Sequence, residues 1–402
     1  MVAEALPTAP DALARRGLAQ RDGEKWAMAG DGVLASWVAD MDFPIAPAVR
    51  EALLRRVESD LGYPAWFDEE DGGPLGEVYT ARTLHRFGYL PEPSYLRLFT
   101  DINQGLLATV QVATQPGDGV LLHTPTCPPF VADLKRIDRE TVTVPMISRA
   151  ETWEVDLDMM DRVAADRQCR VLFLVNPHNP TGRVLRRDEL EGIAQLALRR
   201  NMLVISDEVH ADLAYAPSRH IPFASLSPEV AASTVTLTSG SKAFNLAGIR
   251  CAVAHVGPQR VRDALDARRG LLFGQVGVLA VEALKAAWTD GDGWLDDVRT
   301  VLDRNRRRLA ERLPAGIGYR MPEATFLAWL DCRRLGLGDD PAGFFRDEAK
   351  VLFFSGPSFG SEGDGFLRLN FATYPEVLEQ MLDRMDTALR RSPAIPYRVK
   401  DA

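Results

Sequence analysis

Short apolar runs alternate with amphipathic stretches between residues 96 and 223. The runs predict buried strands, because they are only a few residues long, rich in valine, leucine and isoleucine, and bounded by turn-forming residues. The stretches repeat their apolar residues at helical spacing. Strands that alternate with helices need crossover connections, so this pattern predicts an α/β fold with a mostly parallel central sheet covered by helices. The predicted strands are residues 96–99, 120–122, 142–144, 171–175 and 203–205, and the predicted helices are residues 106–114, 130–136, 157–165 and 187–199.

The pattern changes after residue 250, where long amphipathic stretches precede a more mixed order of elements. This predicts a smaller α+β domain beside the α/β domain, as a chain of 402 residues allows. We expect the large domain to span residues 46–290 and the small domain to combine residues 1–45 with residues 291–402. The predicted strands here are residues 252–256, 321–330, 351–354 and 366–371, and the predicted helices are residues 258–269, 277–288, 294–313, 341–349 and 375–390.

Composition narrows the classes of partner. Charged residues make up 26% and hydrophobic residues 46% of the chain, an ordinary globular balance, and the net charge of −9 argues against a nucleic-acid-binding surface. No apolar run reaches about 18 residues and the N-terminus lacks a signal-peptide core, so we expect no membrane contact and a cytoplasmic location. The four cysteines form no CxxC pair, so neither a metal site nor a disulfide framework is expected. A small molecule is the expected partner.

Lys242 is the first candidate for chemistry. Residues 234–239 predict a short buried strand, and the glycine that follows breaks it, so Lys242 is presented at a strand end. In α/β proteins the ligand binds at the carboxyl ends of the strands. A desolvated lysine forms Schiff bases with carbonyl compounds such as pyridoxal phosphate. A solvated surface lysine is the alternative from this stretch alone.

Two other predicted strands are followed by polar side chains that suit the same chemistry. Asp207 follows the strand at 203–205, and an acid in such an apolar setting needs a cationic or N–H partner, for which a pyridinium nitrogen is suitable. Asn179 lies between two Asn-Pro steps after the strand at 171–175, in a turn that can direct its amide at a ligand. The alternatives are a helix N-cap for Asp207 and an Asx-turn for Asn179.

Four candidate residues, the three above and an arginine near the C-terminal end, occur in the order found in a known superfamily. Asn179, Asp207, Lys242 and Arg368 follow one another as in the fold type I pyridoxal-phosphate enzymes of the aminotransferase class I/II superfamily, which the sequence resembles from about residue 20 to 392. Within that superfamily it resembles the branch of bacterial cystathionine β-lyases and cysteine S-conjugate C–S lyases. The motifs that carry the resemblance are WVADMDF (37–43), NPHNPTGRV (176–184), SDEVH (206–210), SKAFNLAG (241–248) and GFLRLNF (365–371).

The resemblance implies a pyridoxal 5'-phosphate site and assigns its residues. Lys242 would form the Schiff base and act as general base at the substrate Cα, and Asp207 would pair with the pyridine nitrogen. Asn179 would hydrogen-bond the ring hydroxyl oxygen, with His210 nearby. The remaining cofactor contacts implied are backbone amides of Ile102 and Asn103 and the side chain of Ser239 at the phosphate, Arg250 pairing with the phosphate, and Tyr63 reaching the phosphate of the neighbouring subunit in a homodimer.

The resemblance also implies the substrate contacts. Arg368 would clamp the substrate α-carboxylate in a bidentate geometry that a guanidinium fits, and it lies between apolar residues of a predicted strand. The alternative for Arg368 is a surface ion pair. The backbone of Val38 and Ala39 would face the same carboxylate, and Asn179 would also lie beside the substrate.

Three positions depart from the pattern of the lyase branch. Cys127 occupies a catalytic position where these lyases usually carry a tyrosine, and a thiol cannot stack on a ring as a phenol does. Asp101 begins a phosphate loop that is usually rich in glycine and valine. Arg250 is present, as in aminotransferases, although the lyases often lack it.

The expected function is therefore a C–S β-lyase that converts a cysteine S-conjugate or cystathionine to a thiol, pyruvate and ammonia. An aminotransferase is an alternative, favoured by Arg250. A decarboxylative oxidative deamination of a cysteine S-conjugate in specialised metabolism is another, for which Cys127 is the only support. A non-catalytic regulator is less compatible with the presence of Lys242, Asp207 and Arg368 together.

Overall fold

The computed structural model describes residues 17–18, 20–66, 72–268 and 274–392. The β-strands are β1 (Leu34–Ala35), β2 (Leu96–Phe99), β3 (Gly119–Thr124), β4 (Glu140–Pro145), β5 (Ile147–Ser148), β6 (Trp153–Glu154), β7 (Val171–Val175), β8 (Leu203–Asp207), β9 (Thr234–Thr238), β10 (Ala252–Val256), β11 (Gly318–Tyr319), β12 (Leu327–Asp331), β13 (Val351–Leu352), β14 (Phe354–Ser355) and β15 (Phe366–Asn370). The α-helices are α1 (Glu24–Ala27), α2 (Pro47–Ser59), α3 (Gly76–Phe87), α4 (Ile102–Ala113), α5 (Pro128–Arg136), α6 (Leu157–Asp166), α7 (Arg187–Arg199), α8 (Pro228–Ala232), α9 (Gln259–Asp266), α10 (Val278–Asp290), α11 (Asp292–Arg312), α12 (Pro341–Phe344) and α13 (Pro375–Arg391).

The central sheet has seven strands in the order β2-β10-β9-β8-β7-β3-β4. The five strands β9, β8, β7, β3 and β4 are parallel to one another, whereas β10 runs antiparallel to both β9 and β2. Every residue of β7 and β8 is buried, as expected for strands covered on both faces, which explains why their sequences read as unbroken apolar runs. The predicted mostly parallel sheet is confirmed.

Helices cover this sheet on both faces. Leu106 of α4, Leu134 of α5 and Leu265 of α9 lie in the apolar cluster on one face. Met160 of α6 and Ile193 of α7 lie in the cluster on the other face. Among the described helices, none combines the length and the apolar character that crossing a membrane requires. With both faces covered, the carboxyl ends of the parallel strands remain as the edge where a ligand can enter.

A second sheet, of four strands in the order β11-β12-β15-β14, follows in the chain. The strand predicted at 321–330 begins only at Leu327, because the N–H groups of Glu323 and Ala324 donate to the Gly182 carbonyl, at 2.8 and 3.0 Å, instead of to a strand. The strand predicted at 351–354 is two strands, since β13 pairs with β1 and β14 pairs with β15. The domain boundaries at residues 46 and 290 stay a prediction.

Buried histidines predict a loss of stability in mild acid. Burial lowers the pKa of His123 and of His255 to about 4 and that of His178 to about 3. The unfolded chain therefore takes up protons before the folded chain does, so stability is present above about pH 6.5 and falls as the pH drops toward 4. Each histidine contributes a loss of about 2 kcal/mol at pH 5.

The urea midpoint of the protein without cofactor, measured at pH 7.5 and pH 5.5, checks this expectation. His123→Leu should reduce the difference between the two midpoints, because it removes one such histidine. His85→Leu is the matched control, since His85 is exposed. A pH dependence that is the same in all three proteins would contradict the argument.

Candidate active site

A cavity of about 340 Å³ lies at the carboxyl ends of the central strands. It is also bordered by the segment after β1, by β14 and by β15, so elements distant in sequence meet there. The predicted site residues that line it are Val38, Ala39, Ile102, Asn103, Cys127, Asn179, Asp207, His210, Ser239, Lys242, Arg250 and Arg368. Tyr63 does not line it, and its side chain is 89% exposed on this chain.

Lys242 lies in the turn that follows β9. The turn brings Gly240 close to α10, where an added Cβ would lie 2.8 Å from Cδ1 of Leu284, so a side chain at that position would require either Leu284 or the turn to shift. The Lys242 amine donates to the Ala39 carbonyl at 2.9 Å. Burial lowers the pKa of Lys242, which favours the neutral amine that can act as nucleophile or base. The alternative of a solvated surface lysine is not what the structure shows.

Asp207 ends β8 and is 3% exposed. Its Oδ1 accepts from the Val209 N–H at 3.1 Å, and burial raises the pKa of its carboxyl to about 7. The buried Asp207 carboxylate has too few hydrogen-bond donors to stabilise its negative charge, so a cation placed beside the carboxylate would stabilise that charge. The pKa of His210 is shifted in the other direction. Burial, and to a smaller extent the nearby cations of Lys242 and Arg368, lower it to about 3, so the imidazole is neutral.

Arg368 is the buried cation of the site. It lies in β15, is 3% exposed, and donates to Oδ1 of Asn179 at 3.0 Å and to the Trp37 carbonyl at 2.9 Å. No carboxylate of the described residues pairs with it, and its Nε has no partner among them. Burial lowers its pKa to about 10. The alternative of a surface ion pair is therefore wrong, and a buried guanidinium of this kind calls for an anionic ligand.

Two phenylalanine rings and the side-chain amide of Asn179 surround the Arg368 guanidinium. Its Cζ lies 4.8 Å from the ring centre of Phe354 and 5.0 Å from that of Phe359. Asn179 uses its carbonyl oxygen toward Arg368, so its NH₂ group is the part left to donate to a ligand. Neither phenylalanine was predicted as a site residue.

The N-terminus of α4 opens toward the cavity. Asp101 is its N-cap and accepts from the Gln104 N–H at 2.9 Å. The N–H groups of Ile102 and Asn103, in the first turn, have no carbonyl partner within the helix, which makes them donors for an anion such as a phosphate. Arg250 lies beside them but forms an ion pair with the Asp101 carboxylate. The charge of Arg250 is thus already partly neutralised.

Two further predicted residues have contacts that qualify their roles. The Ser239 hydroxyl donates to the Cys251 carbonyl at 2.6 Å and accepts from the Ser241 N–H at 3.0 Å, so its proton is already committed within the protein. Cys127 is the N-cap residue of α5 and has a free thiol. Burial raises its pKa, so the thiol is neutral where it lines the cavity.

Some residues of the cavity were not predicted as site residues. Trp37 belongs to the WVADMDF motif, which was used only for the resemblance. Phe354 follows a strand break that the apolar pattern does not show. Ser241 likewise belongs to a motif of the resemblance, SKAFNLAG, without having been assigned a role, and Glu24 has neighbours of ordinary composition that gave no signal in the sequence. All four line the cavity.

The residues present fit pyridoxal 5'-phosphate. The α4 N-terminus offers free N–H donors for the phosphate, Asp207 needs a cationic partner, and Lys242 supplies an amine with a lowered pKa. A cavity lined by a few convergent polar groups is the usual form of a cofactor site. Among the described residues, no group of three or more His, Cys, Asp or Glu side chains could hold a metal ion.

Comparison with known proteins places the chain in a family. It belongs to the aminotransferase class I and II family, whose family model matches residues 92–385. This is a family of pyridoxal-phosphate-dependent enzymes. The fold class predicted from the sequence is confirmed by solved structures of fold type I enzymes.

Among its relatives are named lyases. Cystathionine beta-lyase PatB of Bacillus subtilis is 32% identical, and the match covers 91% of this chain and 96% of PatB. The structure of the PLP-bound C-S lyase of Staphylococcus hominis has a TM-score of 0.85 and 30% identity, covering 93% of this chain and 98% of that one. Cystalysin of Treponema denticola, which contains pyridoxal 5'-phosphate, has a TM-score of 0.88 and 26% identity, covering 97% of this chain and 99% of that one.

Proposed function

We propose that the protein is a pyridoxal-phosphate-dependent C–S β-lyase. Its substrate would be a cysteine S-conjugate or cystathionine, free in the cytoplasm, and its products a thiol, pyruvate and ammonia. The observation that carries the proposal is the meeting of Lys242, Asp207 and Arg368 in one cavity. The similarity to PatB and to the Staphylococcus hominis lyase over nearly the whole chain supports the lyase over other reactions of the family.

Two side chains would bind the cofactor ring, and two backbone N–H groups would bind its phosphate. Pyridoxal phosphate supplies an aldehyde that binds amines and a ring that stores the electron pair left when a bond at the amino acid Cα breaks. The Asp207 carboxylate would accept a hydrogen bond from the ring nitrogen and keep it protonated. The NH₂ group of Asn179 would donate to the ring hydroxyl oxygen, and the N–H groups of Ile102 and Asn103 would donate to the phosphate.

The same cavity orients and deprotonates the substrate. Arg368 would bind the α-carboxylate through Nε, which has no partner among the described residues, together with a remaining N–H of its terminal nitrogens, with the backbone of Val38 and Ala39 beside it. The Lys242 amine would then take the proton from Cα, since burial lowers its pKa and so favours the neutral form that can act as a base. Loss of that proton allows the Cβ–S bond to break with departure of the thiolate, and hydrolysis of the remaining three-carbon fragment gives pyruvate and ammonia.

Product analysis tests the proposal against its alternatives. The holoenzyme is incubated with S-ethyl-cysteine or cystathionine, and the products are identified by mass spectrometry. A β-lyase gives pyruvate together with a thiol. A keto acid that retains sulfur would instead indicate transamination, and an aldehyde with carbon dioxide would indicate decarboxylative deamination. Absence of any turnover across these conjugates would overturn the assignment.

A homodimer with shared sites is part of the proposal. Apolar side chains that a monomer would leave in water lie on α2 and just after it: Leu54 is 47%, Val57 54% and Leu61 54% exposed. Tyr63, 89% exposed, continues this surface. Contiguous exposed apolar residues of this kind favour burial against a second subunit. Tyr63 would then reach the phosphate of the neighbouring site rather than that of its own chain.

Mixing two inactive variants checks the sharing of sites. Tyr63→Phe and Lys242→Ala proteins, combined in equal amounts, should recover about a quarter of the wild-type activity, because half of the reassorted dimers contain one intact site. The measurement is pyruvate release after exchange, with exchange verified by mass-tagged subunits. Absence of recovery after verified exchange would show that each site is built from one chain.

Asp101 is predicted to weaken cofactor binding. Its carboxylate lies at the helix terminus that would hold the phosphate and occupies Arg250, so Asp101→Asn should remove a repulsion and release a cation. Asparagine keeps the N-cap hydrogen bond. The dissociation constant for pyridoxal phosphate should fall about fivefold, as expected for one like charge near 4 Å in a largely solvated setting.

Absorbance titration of the cofactor-free protein measures this constant. Asp156→Asn is the matched control, because Asp156 caps α6 in the same way and does not line the cavity. An unchanged or weaker affinity in Asp101→Asn would mean that Asp101 serves to hold Arg250 in place.

A further inference from the structure

Glu24 is the charge of the cavity lining that is left without a counterpart. Arg250 pairs with Asp101, Arg368 is suited to the substrate α-carboxylate, and Asp207 and Lys242 are suited to the ring nitrogen and the aldehyde of the cofactor. Glu24 lines the same cavity, yet among the described residues its carboxylate has neither an ion-pair nor a hydrogen-bond partner. An anion that faces a binding cavity without a partner is a recognition element for a cation.

The segment that carries Glu24 is firmly anchored. Glu24 begins α1, and the next two residues bind the same buried carboxylate: Lys25 lies 3.0 Å from Oδ1 of Asp42, and the Trp26 indole donates to it at 2.7 Å. Glu24 is itself exposed although it lines the cavity, so it lies where the cavity opens to solvent. These contacts hold the backbone of Glu24 at the mouth of the site, where its carboxylate faces the solvent-exposed opening.

Trp37 links this mouth to the proposed carboxylate site. Its backbone carbonyl accepts from Arg368 at 2.9 Å, and its indole N–H donates to the Lys25 carbonyl at 3.0 Å. Its ring lies 6.2 Å from that of Phe354, and both rings line the cavity. A substrate held at Arg368 therefore has an apolar wall leading from its carboxylate toward Glu24.

We infer that Glu24 selects cysteine S-conjugates whose sulfur substituent ends in a positively charged group. This inference rests on the proposed C–S lyase function and names its substrate class. The alkyl part of such a substituent packs along Trp37 and Phe354, and the terminal ammonium pairs with the Glu24 carboxylate at the cavity mouth. Glu24 is a specificity-determining residue in this arrangement and takes no part in the bond-breaking steps.

A matched pair of substrates tests the inference. S-(3-aminopropyl)-cysteine and S-butyl-cysteine have nearly the same length and differ in the terminal charge. In the wild-type holoenzyme kcat/KM for pyruvate release should be about fivefold higher for the aminopropyl conjugate, the size expected of one partly exposed ion pair. Glu24→Gln should bring the ratio of the two values to about one. Glu376→Gln is the control, since Glu376 is also exposed in the first turn of a helix but does not line the cavity.

A second readout separates this inference from the lyase assignment. Titration of the cofactor absorption band gives the affinity for each conjugate whether or not the carbon–sulfur bond is cleaved. If neither conjugate releases pyruvate, the lyase assignment fails, and the affinity ratio in wild type and Glu24→Gln still decides the role of Glu24. A preference for the aminopropyl conjugate that is lost only in Glu24→Gln supports the inference. An equal ratio in all three proteins would overturn it.

Discussion

Replacing Lys242 with alanine should abolish the borohydride-reducible link to pyridoxal phosphate and lower turnover by about a hundred- to ten-thousandfold. Two functions are lost together, because the same amine is the proposed attachment point of the cofactor and the base at the substrate Cα. Its contact with the Ala39 carbonyl and its lowered pKa single it out among the described lysines. The reduced protein is checked by peptide mass mapping, and turnover by pyruvate release.

Lys135→Ala is the control for this experiment, since Lys135 is exposed on α5. That variant should keep both the reducible link and the activity. Added methylamine should restore part of the activity of Lys242→Ala if the amine acts as the base. A reducible adduct on another lysine in the Lys242→Ala protein would contradict the assignment.

Replacing Arg368 with lysine should lower kcat/KM by about 30-fold to several thousandfold, mainly through KM. The estimate corresponds to the 2–5 kcal/mol lost when a buried hydrogen-bonded charge pair is broken. Lysine keeps the charge but cannot present two parallel N–H donors to a carboxylate, and it cannot keep both contacts of Arg368 with Asn179 and Trp37. Arg346→Lys, at an exposed position, is the control and should have no effect.

An S-substituted cysteamine, which lacks the α-carboxylate, makes the test of Arg368 specific. Its affinity for the holoenzyme, followed by the cofactor absorption band, should be nearly the same in wild type and Arg368→Lys. An equal loss of affinity for the cysteamine and the cysteine conjugate would indicate that Arg368 acts by positioning Asn179, not by binding the carboxylate.

The fold and the positions of Asn179, Asp207 and Lys242 at the cavity could be predicted because they rest on local patterns, whereas the other predicted lining residues were assigned through the resemblance. The apolar runs of β7 and β8 are buried on both faces, so they read as strands, and polar residues directly after them, such as Asp207, must lie at the open edge of the sheet. The amphipathic stretch at residues 106–114 correctly predicted helix α4, although the helix begins four residues earlier, at Ile102.

Features that depend on long-range contacts could not be predicted in the same way. The stretch before Leu327 was predicted as part of a strand, but hydrogen bonds from Glu323 and Ala324 to the Gly182 carbonyl hold it in a bend. The pairing of Arg250 with Asp101 joins residues 149 positions apart, and neither has a local pattern that reveals it. Glu24 comes to the cavity through contacts made by the residues that follow it, so its own sequence neighbourhood carried no signal.

The central claim is that this cavity breaks a carbon–sulfur bond. It is tested most directly by following thiol and pyruvate in the same sample during turnover of a cysteine S-conjugate, with and without added 2-oxoglutarate. Both products should appear at equal rates, and added 2-oxoglutarate should change neither rate. Turnover that requires 2-oxoglutarate and releases no thiol would contradict it.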